Sequence, residues 1–207
     1  KFPQQFAMAE GIIAARGEYA ARGRAFGEKI DPLRLQFQKA MAEMKNNQPY
    51  PDANSTLRFT FGNVRGYQPR EAVTYAPFTT LAGVMEKETG VDPFTSPEKL
   101  RQLFASKDYG RYGVNGTMPV NFLTTNDIIG GNSGSPVLNA KGEQIGIAFD
   151  GNYEGLGNDM FFDPTYGRTI VVDIRYVLFL TEKLGDAKWI VDEMTLVGGA
   201  KAMKAKA

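Results

Sequence analysis

The run at positions 130–137, Gly-Gly-Asn-Ser-Gly-Ser-Pro-Val, constrains this chain more than any other stretch. Glycines flank the serine at 133 and a proline precedes an apolar pair, so the run predicts a tight turn that leads into a strand. Such a turn presents the hydroxyl of Ser133, and neighbouring main-chain N–H groups can converge on one oxygen atom, as an oxyanion hole requires. An ordinary Gly/Ser-rich hairpin loop is the alternative. The fuller pattern favours Ser133 as a nucleophile.

The composition indicates a folded protein without an obvious polyanionic partner. Of 207 residues, 43% are hydrophobic and 12% aromatic, which is enough for a sizeable core. The formal net charge of +1 argues against a general nucleic-acid binder. No segment is apolar over the length of a membrane span. We expect neither a nucleic-acid nor a membrane partner, and no cluster of residues predicts a metal or another cofactor.

The chain contains no histidine and no cysteine. It cannot complete a Ser-His-Asp triad by itself, because the triad needs a base within hydrogen-bond reach of the serine hydroxyl. Asp127 is expected to be a turn residue, and Lys141, in a predicted hairpin turn, is a weak candidate for a Ser-Lys dyad. The sequence therefore predicts a fragment whose catalytic base lies in another part of a longer protein.

Residues 1–49 are predicted to be helical. Phe2, Phe6, Ala9 and Ile13 follow the spacing of one helical face. Asp31-Pro32 has the form of a helix start, with an N-cap followed by a proline in the first turn. We therefore predict an αα-hairpin, with the end of a helical domain at 1–49.

The chain changes character after 49, where strands become the main elements of a predicted domain at 50–198. Alternating apolar residues predict a strand at 57–61, and a weaker signal predicts a second strand at 73–75. Further strands are predicted at 119–124, which runs towards Ser133, and at 168–173. Residues 136–138 and 144–149 form a predicted hairpin across 139–143. Short helices are expected within 80–88, from a capping box at 96–99, and after 174. Residues 199–207 form a low-complexity tail.

Three segments together resemble the C-terminal part of the bacterial dipeptidyl-peptidase 7 and 11 family of serine exopeptidases. They are Gly-Asn-Ser-Gly-Ser-Pro-Val at 131–137, Phe-Asp-Gly-Asn at 149–152 and Asp-Ile-Arg-Tyr at 173–176. The resemblance implies an α+β chain, in which the end of an inserted helical domain precedes the second trypsin-like antiparallel β-barrel of a double-barrel peptidase. The resemblance also implies a periplasmic or secreted location. It implies that a missing N-terminal barrel of the same protein is the partner that carries the base, and it allows a homodimer.

The resemblance assigns roles to individual residues. Ser133 would attack the carbonyl, and the N–H groups of Gly131 and Ser133 would hold the oxyanion. Asp150 would bind the free α-ammonium of a peptide, although a turn-capping role is an equal alternative from the sequence alone. Phe149 and Gly151 would line the pocket for the residue before the cut, and glycine at 151 implies a preference for apolar residues there.

Three functions stay open at this stage. The first is an exopeptidase that removes dipeptides from peptides with a free N-terminus. The second is a non-catalytic barrel that binds peptides, and the third is a trypsin-like endopeptidase in which Asp150 has no amine to hold.

Overall fold

A computed structural model describes residues 3–45, 57–158 and 162–198 of the chain. The chain divides into two units, Lys1–Asp52 and Ala53–Ala207. The predicted boundary near 49 and the predicted tail at 199–207 lie outside the described residues, and the domain limits inferred from the sequence stay predictions.

The first unit is one long helix, α1 (Pro3–Lys45), so the predicted αα-hairpin is wrong. Asp31 does not cap a second helix, because its carboxylate instead pairs with Arg34 one turn later, at 3.5 Å. Pro32 lies inside the helix. Proline removes one helical hydrogen bond, but its fixed φ is compatible with the helix, and no residues that reverse the chain accompany it. Apolar side chains of the predicted helical face, including Phe6 and Ile13, are exposed.

The second unit is built on antiparallel strands. β1 (Tyr67–Arg70) and β2 (Val73–Tyr75) form a two-stranded sheet. A five-stranded sheet has the order β3-β4-β7-β6-β5. Its strands are β3 (Phe78–Thr80), β4 (Pro119–Thr124), β5 (Pro136–Leu138), β6 (Gln144–Gly151) and β7 (Thr169–Asp173). The strands predicted at 73–75, 119–124 and 168–173 and the hairpin at 136–149 are confirmed.

Short helices cover one side of this unit and enclose its core. They are α2 (Leu81–Glu86), α3 (Glu98–Ser106), α4 (Ile174–Phe179), a π-helical turn at Leu180–Leu184, and α5 (Lys188–Asp192). Phe179, Leu81 and Met118 are fully buried among them. Asp173 caps α4, since its carboxylate accepts the N–H of Arg175 at 2.9 Å. The predicted capping box before α3 is wrong, because Pro97 is the N-cap and makes no side-chain cap.

The predicted strand at 57–61 is also wrong. Leu57, Phe59 and Phe61 are 84% exposed or more. The chain first pairs with the sheet at Asn63, whose carbonyl accepts the N–H of Thr125 at 3.0 Å, next to an antiparallel bridge between Val64 and Thr124. Alternation of apolar and polar residues makes a segment compatible with a strand, but the strand forms only where the segment can hydrogen-bond to the edge of a sheet. The described sheet does not close into a barrel, because β3 and β5 are its edges.

No helix within the described ranges combines the length and the apolar character needed to cross a bilayer.

Candidate active site

The loop that carries Ser133 joins the region after β4 to the start of β5. Gly131 and Gly134 adopt φ angles of 95° and 86°, which side chains other than glycine rarely tolerate. The N–H of Ser135 donates to the carbonyl of Asn132 at 3.0 Å and closes a turn around position 133. Ser133 is therefore exposed at the tip of a tight turn, as the sequence predicts.

Two segments of the chain hold this loop in place. The N–H of Gly134 donates to the carbonyl of Ala148 at 2.8 Å, and the N–H of Ala148 donates to the carbonyl of Ser135 at 2.9 Å. On the other side, the amide oxygen of Asn132 accepts the N–H of Ile129 at 3.1 Å and a bond from the Arg58 guanidinium. The loop is thus hydrogen-bonded to β6 through its main chain and is also held by the side chain of Asn132.

A β-bulge lies in β6 directly beside Ser133. Ala148 pairs with Val171 and Asp150 pairs with Ile170, so Phe149 is an extra residue on this strand. The hydroxyl of Ser133 donates to the carbonyl of Phe149 at 3.3 Å. A bulge breaks the alternation of the strand and re-aims side chains, and both Phe149 and Asp150 are exposed here. Periodicity in the sequence gives no sign of the bulge, so the sequence analysis missed it.

Asp150 and Gly151 follow the bulge at the end of β6. The carboxylate of Asp150 accepts the N–H of Gly151 at 2.8 Å, which is the local contact expected of a turn-type aspartate. The carboxylate side chain is also exposed, so it has oxygen lone pairs available for a ligand. A Cβ atom added to Gly151 would meet nothing within 4 Å, so the space beside it is open. The structure thus brings Ser133, Phe149, Asp150 and Gly151 to one end of the β5–β6 hairpin.

The described residues provide no clear base for Ser133, and the sequence contains no histidine. Lys141 lies in the turn at the opposite end of the β5–β6 hairpin, which removes it as a dyad partner. A Ser-x-x-Lys spacing occurs at Ser96 and Lys99, which the sequence analysis passed over. The ammonium of Lys99 pairs with Asp186 at 2.6 Å, so this spacing serves the packing of α3 rather than catalysis.

A cavity in the second unit lies away from Ser133. It has a volume of about 730 Å³, and its lining includes Phe78, Phe122, Ile145 and Arg175. Neither Ser133 nor Asp150 lines it. The candidate site is instead an exposed edge, which is where a peptide main chain can lie against a strand.

Sequence reasoning also missed a polar cluster that follows Gly151. Asn152 and Arg168 are 5% and 4% exposed, and each makes several hydrogen bonds. The only signal in the sequence was the asparagine of the Phe-Asp-Gly-Asn segment, which we quoted without a role. Arg168 gave no signal, because its partners are carbonyl groups that every residue carries.

An exposed serine at the tip of a glycine-rich turn, bonded to a bulged strand next to an exposed carboxylate, presents a hydroxyl that a substrate can reach. Comparison with known proteins makes the class definite. The family model described as Peptidase S46 matches residues 4–196. The chain belongs to this peptidase family, which confirms the prediction of a peptidase at the level of the family.

The most similar relatives are named for dipeptidyl-peptidase activities. The chain is 54% identical over 171 residues to a dipeptidyl-peptidase 7 of Phocaeicola vulgatus, covering 81% of this chain and 24% of the relative. It is 47% identical over 194 residues to an Asp/Glu-specific dipeptidyl-peptidase of Porphyromonas endodontalis, covering 90% and 26%. The chain spans about a quarter of the length of these relatives.

A solved structure agrees with the fold. The crystal structure of Porphyromonas endodontalis DPP11 in complex with the dipeptide Arg-Glu matches with a TM-score of 0.69 at 48% identity. The match covers 75% of this chain and 23% of that one. It supports the mixed helical and antiparallel architecture described above.

Proposed function

We propose that this chain carries the nucleophile of a serine dipeptidyl-peptidase that removes dipeptides from free N-termini by acyl transfer. The observation that carries the proposal is the hydrogen bond from the Ser133 hydroxyl to the carbonyl of Phe149, the residue directly before Asp150. The hydroxyl gives its proton to the base and attacks the scissile carbonyl; the C–N bond breaks, the shortened peptide leaves as an amine that takes up this proton, and the dipeptide stays bound as an acyl-enzyme. Water then hydrolyses the ester, which releases the dipeptide and restores the hydroxyl. The names of the relatives, which include both dipeptidyl-peptidase 7 and Asp/Glu-specific enzymes, support the same reaction class.

Two N–H groups of the loop are suited to hold the oxyanion. The N–H of Asn132 is used within the turn, where it donates to the carbonyl of Ile129 at 3.2 Å. In the described part of the chain, the N–H groups of Gly131 and Ser133 donate to no main-chain carbonyl. The positive φ of Gly131 re-aims the chain at this point. Gly131 and Ser133 therefore stabilise the negative charge that develops on the carbonyl oxygen.

Asp150 supplies the selectivity for a free N-terminus. An enzyme that releases dipeptides must measure two residues from the amine, and a carboxylate binds an ammonium through charge-assisted hydrogen bonds. The carboxylate is exposed at the end of β6, next to the bulge that carries the bond to Ser133. Its contact with the N–H of Gly151 leaves its second oxygen for the ligand.

Gly151 gives the pocket an open, uncharged wall, and Phe149 adds an apolar one. The open space at Gly151 and the 59% exposure of Phe149 support a preference for apolar residues before the cut. Overall identity does not decide the preference, because the identities of the two groups of relatives overlap. Relatives named dipeptidyl-peptidase 7 are 41–54% identical to this chain, and relatives named Asp/Glu-specific dipeptidyl-peptidase are 39–48% identical. The preference is therefore a property of this pocket rather than of the match.

The base and the rest of the catalytic domain come from residues outside these 207. Since the sequence has no histidine, a triad requires an imidazole from elsewhere in the intact protein. The finer assignment of the sheet as a trypsin-like barrel is part of the same proposal. The antiparallel order β3-β4-β7-β6-β5 supports it, and closure requires a further strand between the edges β3 and β5.

Product analysis separates the three functions considered. The intact protein is incubated with an unmodified peptide of about ten residues and with its N-acetylated form, and the products are identified by mass spectrometry. We expect successive dipeptides from the free peptide, little cleavage of the acetylated one, and no cleavage by the isolated 207-residue chain. Internal cleavage of both peptides would indicate an endopeptidase, and binding without cleavage would indicate a non-catalytic barrel.

A further inference from the structure

A buried polar cluster joins the end of β6 to the start of β7, directly after the bulge. The N–H of Asn152 donates to the carbonyl of Arg168 at 3.0 Å, and the N–H of Arg168 donates to the side-chain oxygen of Asn152 at 2.8 Å. Both residues are almost completely buried. One side chain thus supplies a rung of the sheet at a point where main-chain pairing ends.

The other half of the Asn152 amide is also used. Its NH₂ group donates to the carbonyl of Tyr166 at 2.8 Å and to the carboxylate of Glu154 at 3.1 Å. The hydroxyl of Tyr67 donates to the same carboxylate oxygen at 2.6 Å. Burial is the main reason that the pKa of Tyr67 is raised, so the hydroxyl keeps its proton and stays a donor. A buried amide with all of its groups paired fixes one conformation of the chain.

The guanidinium of Arg168 is surrounded by main-chain carbonyls. It donates to Gly66 at 3.1 and 3.3 Å, to Pro164 at 3.0 Å, to Thr165 at 3.3 Å and to Gly167 at 2.6 Å. It also lies over the ring of Tyr67, 5.5 Å from the centroid. Burial lowers its pKa, with Arg65 adding to the effect, but a guanidinium stays charged at neutral pH. It therefore binds the segment before β1 and the loop before β7 together.

The bulge explains why such a cluster matters for the site. The extra residue at 149 shifts the register, and the next two pairs are Asp150 with Ile170 and Gly151 with Thr169. A slip of one residue would turn these side chains to the opposite face of the sheet. Within the described residues, the hydrogen bond of the Asp150 carboxylate is to the N–H of its neighbour Gly151, so the position of the carboxylate depends on the main chain. Asn152 and Arg168 fix the main chain immediately beyond.

We propose that Asn152 and Arg168 are positioning residues that hold Asp150 and Gly151 in register for substrate binding. They act through these two residues and do not touch the substrate. The proposal rests on the proposed function, in which Asp150 binds the substrate amine. Ser133 bonds to Phe149 in the bulge, and its loop is held to Ala148 through Gly134 and Ser135. These contacts come before the pairs that the cluster follows, so the cluster should affect KM and leave nucleophile reactivity nearly unchanged.

The test uses the intact protein and compares Asn152→Ala and Arg168→Lys with wild type. For each, kcat and KM are measured with a free-amine dipeptidyl reporter, together with the rate of Ser133 labelling by a fluorophosphonate and the thermal midpoint. Arg101→Lys is the matched control. Arg101 likewise makes several hydrogen bonds, to one carbonyl and two carboxylates, but it lies on α3 and not beside β6. Arg168→Lys keeps the charge but loses the planar fork.

We expect both cluster variants to raise KM by about tenfold, with kcat and the labelling rate within about threefold of wild type. Arg101→Lys should leave KM within about twofold. A lowered thermal midpoint with unchanged KM would overturn the proposal, as would a parallel fall of kcat and labelling. If Asn152→Ala fails to fold, Tyr67→Phe replaces it, because this change removes a single hydroxyl from the cluster. An unchanged KM in both Tyr67→Phe and Arg168→Lys would then overturn the positioning role.

Asp150→Asn, measured in the same series, separates this proposal from the proposed function. A raised KM in Asp150→Asn with a normal KM in both cluster variants would reject the positioning role alone. A normal KM in Asp150→Asn would reject the amine-binding role of Asp150, whatever the cluster variants show.

Discussion

Ser133 donates its hydroxyl hydrogen to the main-chain carbonyl of Phe149, which is the extra residue of a β-bulge in the neighbouring strand. The bond connects two segments that are separate in the sequence, the glycine-rich turn and the Phe-Asp-Gly-Asn segment. Bulges occur often next to active sites because they re-aim side chains. Here the bulge brings an exposed carboxylate and an open glycine to the end of the hairpin that carries the serine.

Replacing the Asp150 carboxylate should weaken the binding of free-amine substrates. In Asp150→Asn the charge-assisted bond to the ammonium is lost, and such a bond is worth about 1.5–3 kcal/mol, so kcat/KM should fall by about tenfold or more. The measurement is steady-state turnover of a free-amine dipeptidyl reporter by the intact protein. Asp108→Asn is the control, because that carboxylate pairs with Lys183 on the surface. Equal cleavage of free and N-blocked reporters by the wild type would reject an amine anchor.

The residue at 151 should set the preference for the side chain before the cut. An apolar side chain gains about 25 cal/mol per Å² on burial in an open pocket, whereas an unpaired carboxylate entering it would lose its hydration. A Cβ atom at position 151 meets no other atom within 4 Å, and Gly151→Arg supplies a guanidinium that pairs with a carboxylate. We expect kcat/KM to favour Leu over Asp in wild type and the reverse in Gly151→Arg.

Gly151→Ala is the control for that experiment, since it fills space without adding charge and should keep the wild-type order. If the ratio for the Leu and Asp substrates is the same in all three proteins, residue 151 does not line the pocket.

Two glycines of the same strand should differ sharply in their tolerance of a side chain. A Cβ atom at Gly146 would lie 2.7 Å from the carbonyl of Val172 and also against the Val171 side chain, whereas one at Gly151 would meet nothing. Gly146→Ala should therefore lower the free energy of unfolding by about 1–3 kcal/mol. Gly151→Ala should change it by no more than about 0.5 kcal/mol. Urea unfolding measures both, and equal midpoints for the two variants would contradict the packing described for β6.

Stability at low pH should depend on Glu182. The Tyr112 hydroxyl and, second, the Arg111 guanidinium donate to its carboxylate and hold its pKa below the ordinary value of 4.5. A lowered folded-state pKa contributes stability above the unfolded pKa, and this contribution is lost as the pH falls through the folded value. Below about pH 4.5 the unfolding free energy of Glu182→Gln should thus fall less steeply than that of wild type. Glu86→Gln, at an exposed position, is the control and should follow the wild-type curve.

The sequence predicts those elements whose pattern is decided by neighbours along the chain. The hairpin at 136–149 follows from two apolar runs and a turn, and the loop at Ser133 follows from glycines that adopt positive φ. In each case a local pattern is enough, because the partner lies nearby or the conformation belongs to one residue.

The remaining features depend on partners that are distant in the sequence. Residues 57–61 have a strand pattern, but the sheet does not meet them, and Asp31-Pro32 looks like a helix start inside a continuous helix. The bulge at Phe149 arises from pairing with β7, which no periodicity in β6 reveals. Arg168 binds carbonyls of Gly66 and of its own loop, so no sequence motif marks it.

Active-site labelling tests the central claim, that Ser133 is the nucleophile, most directly. The intact protein and its Ser133→Ala variant are treated with a fluorophosphonate, and the modified residue is located by peptide mass spectrometry; Ser135→Ala is the matched control on the same loop. We expect labelling at Ser133 in wild type and in Ser135→Ala, and neither labelling nor turnover in a folded Ser133→Ala protein, because removing a nucleophile costs several powers of ten in rate. Labelling at another serine, or wild-type turnover by Ser133→Ala, would contradict the account.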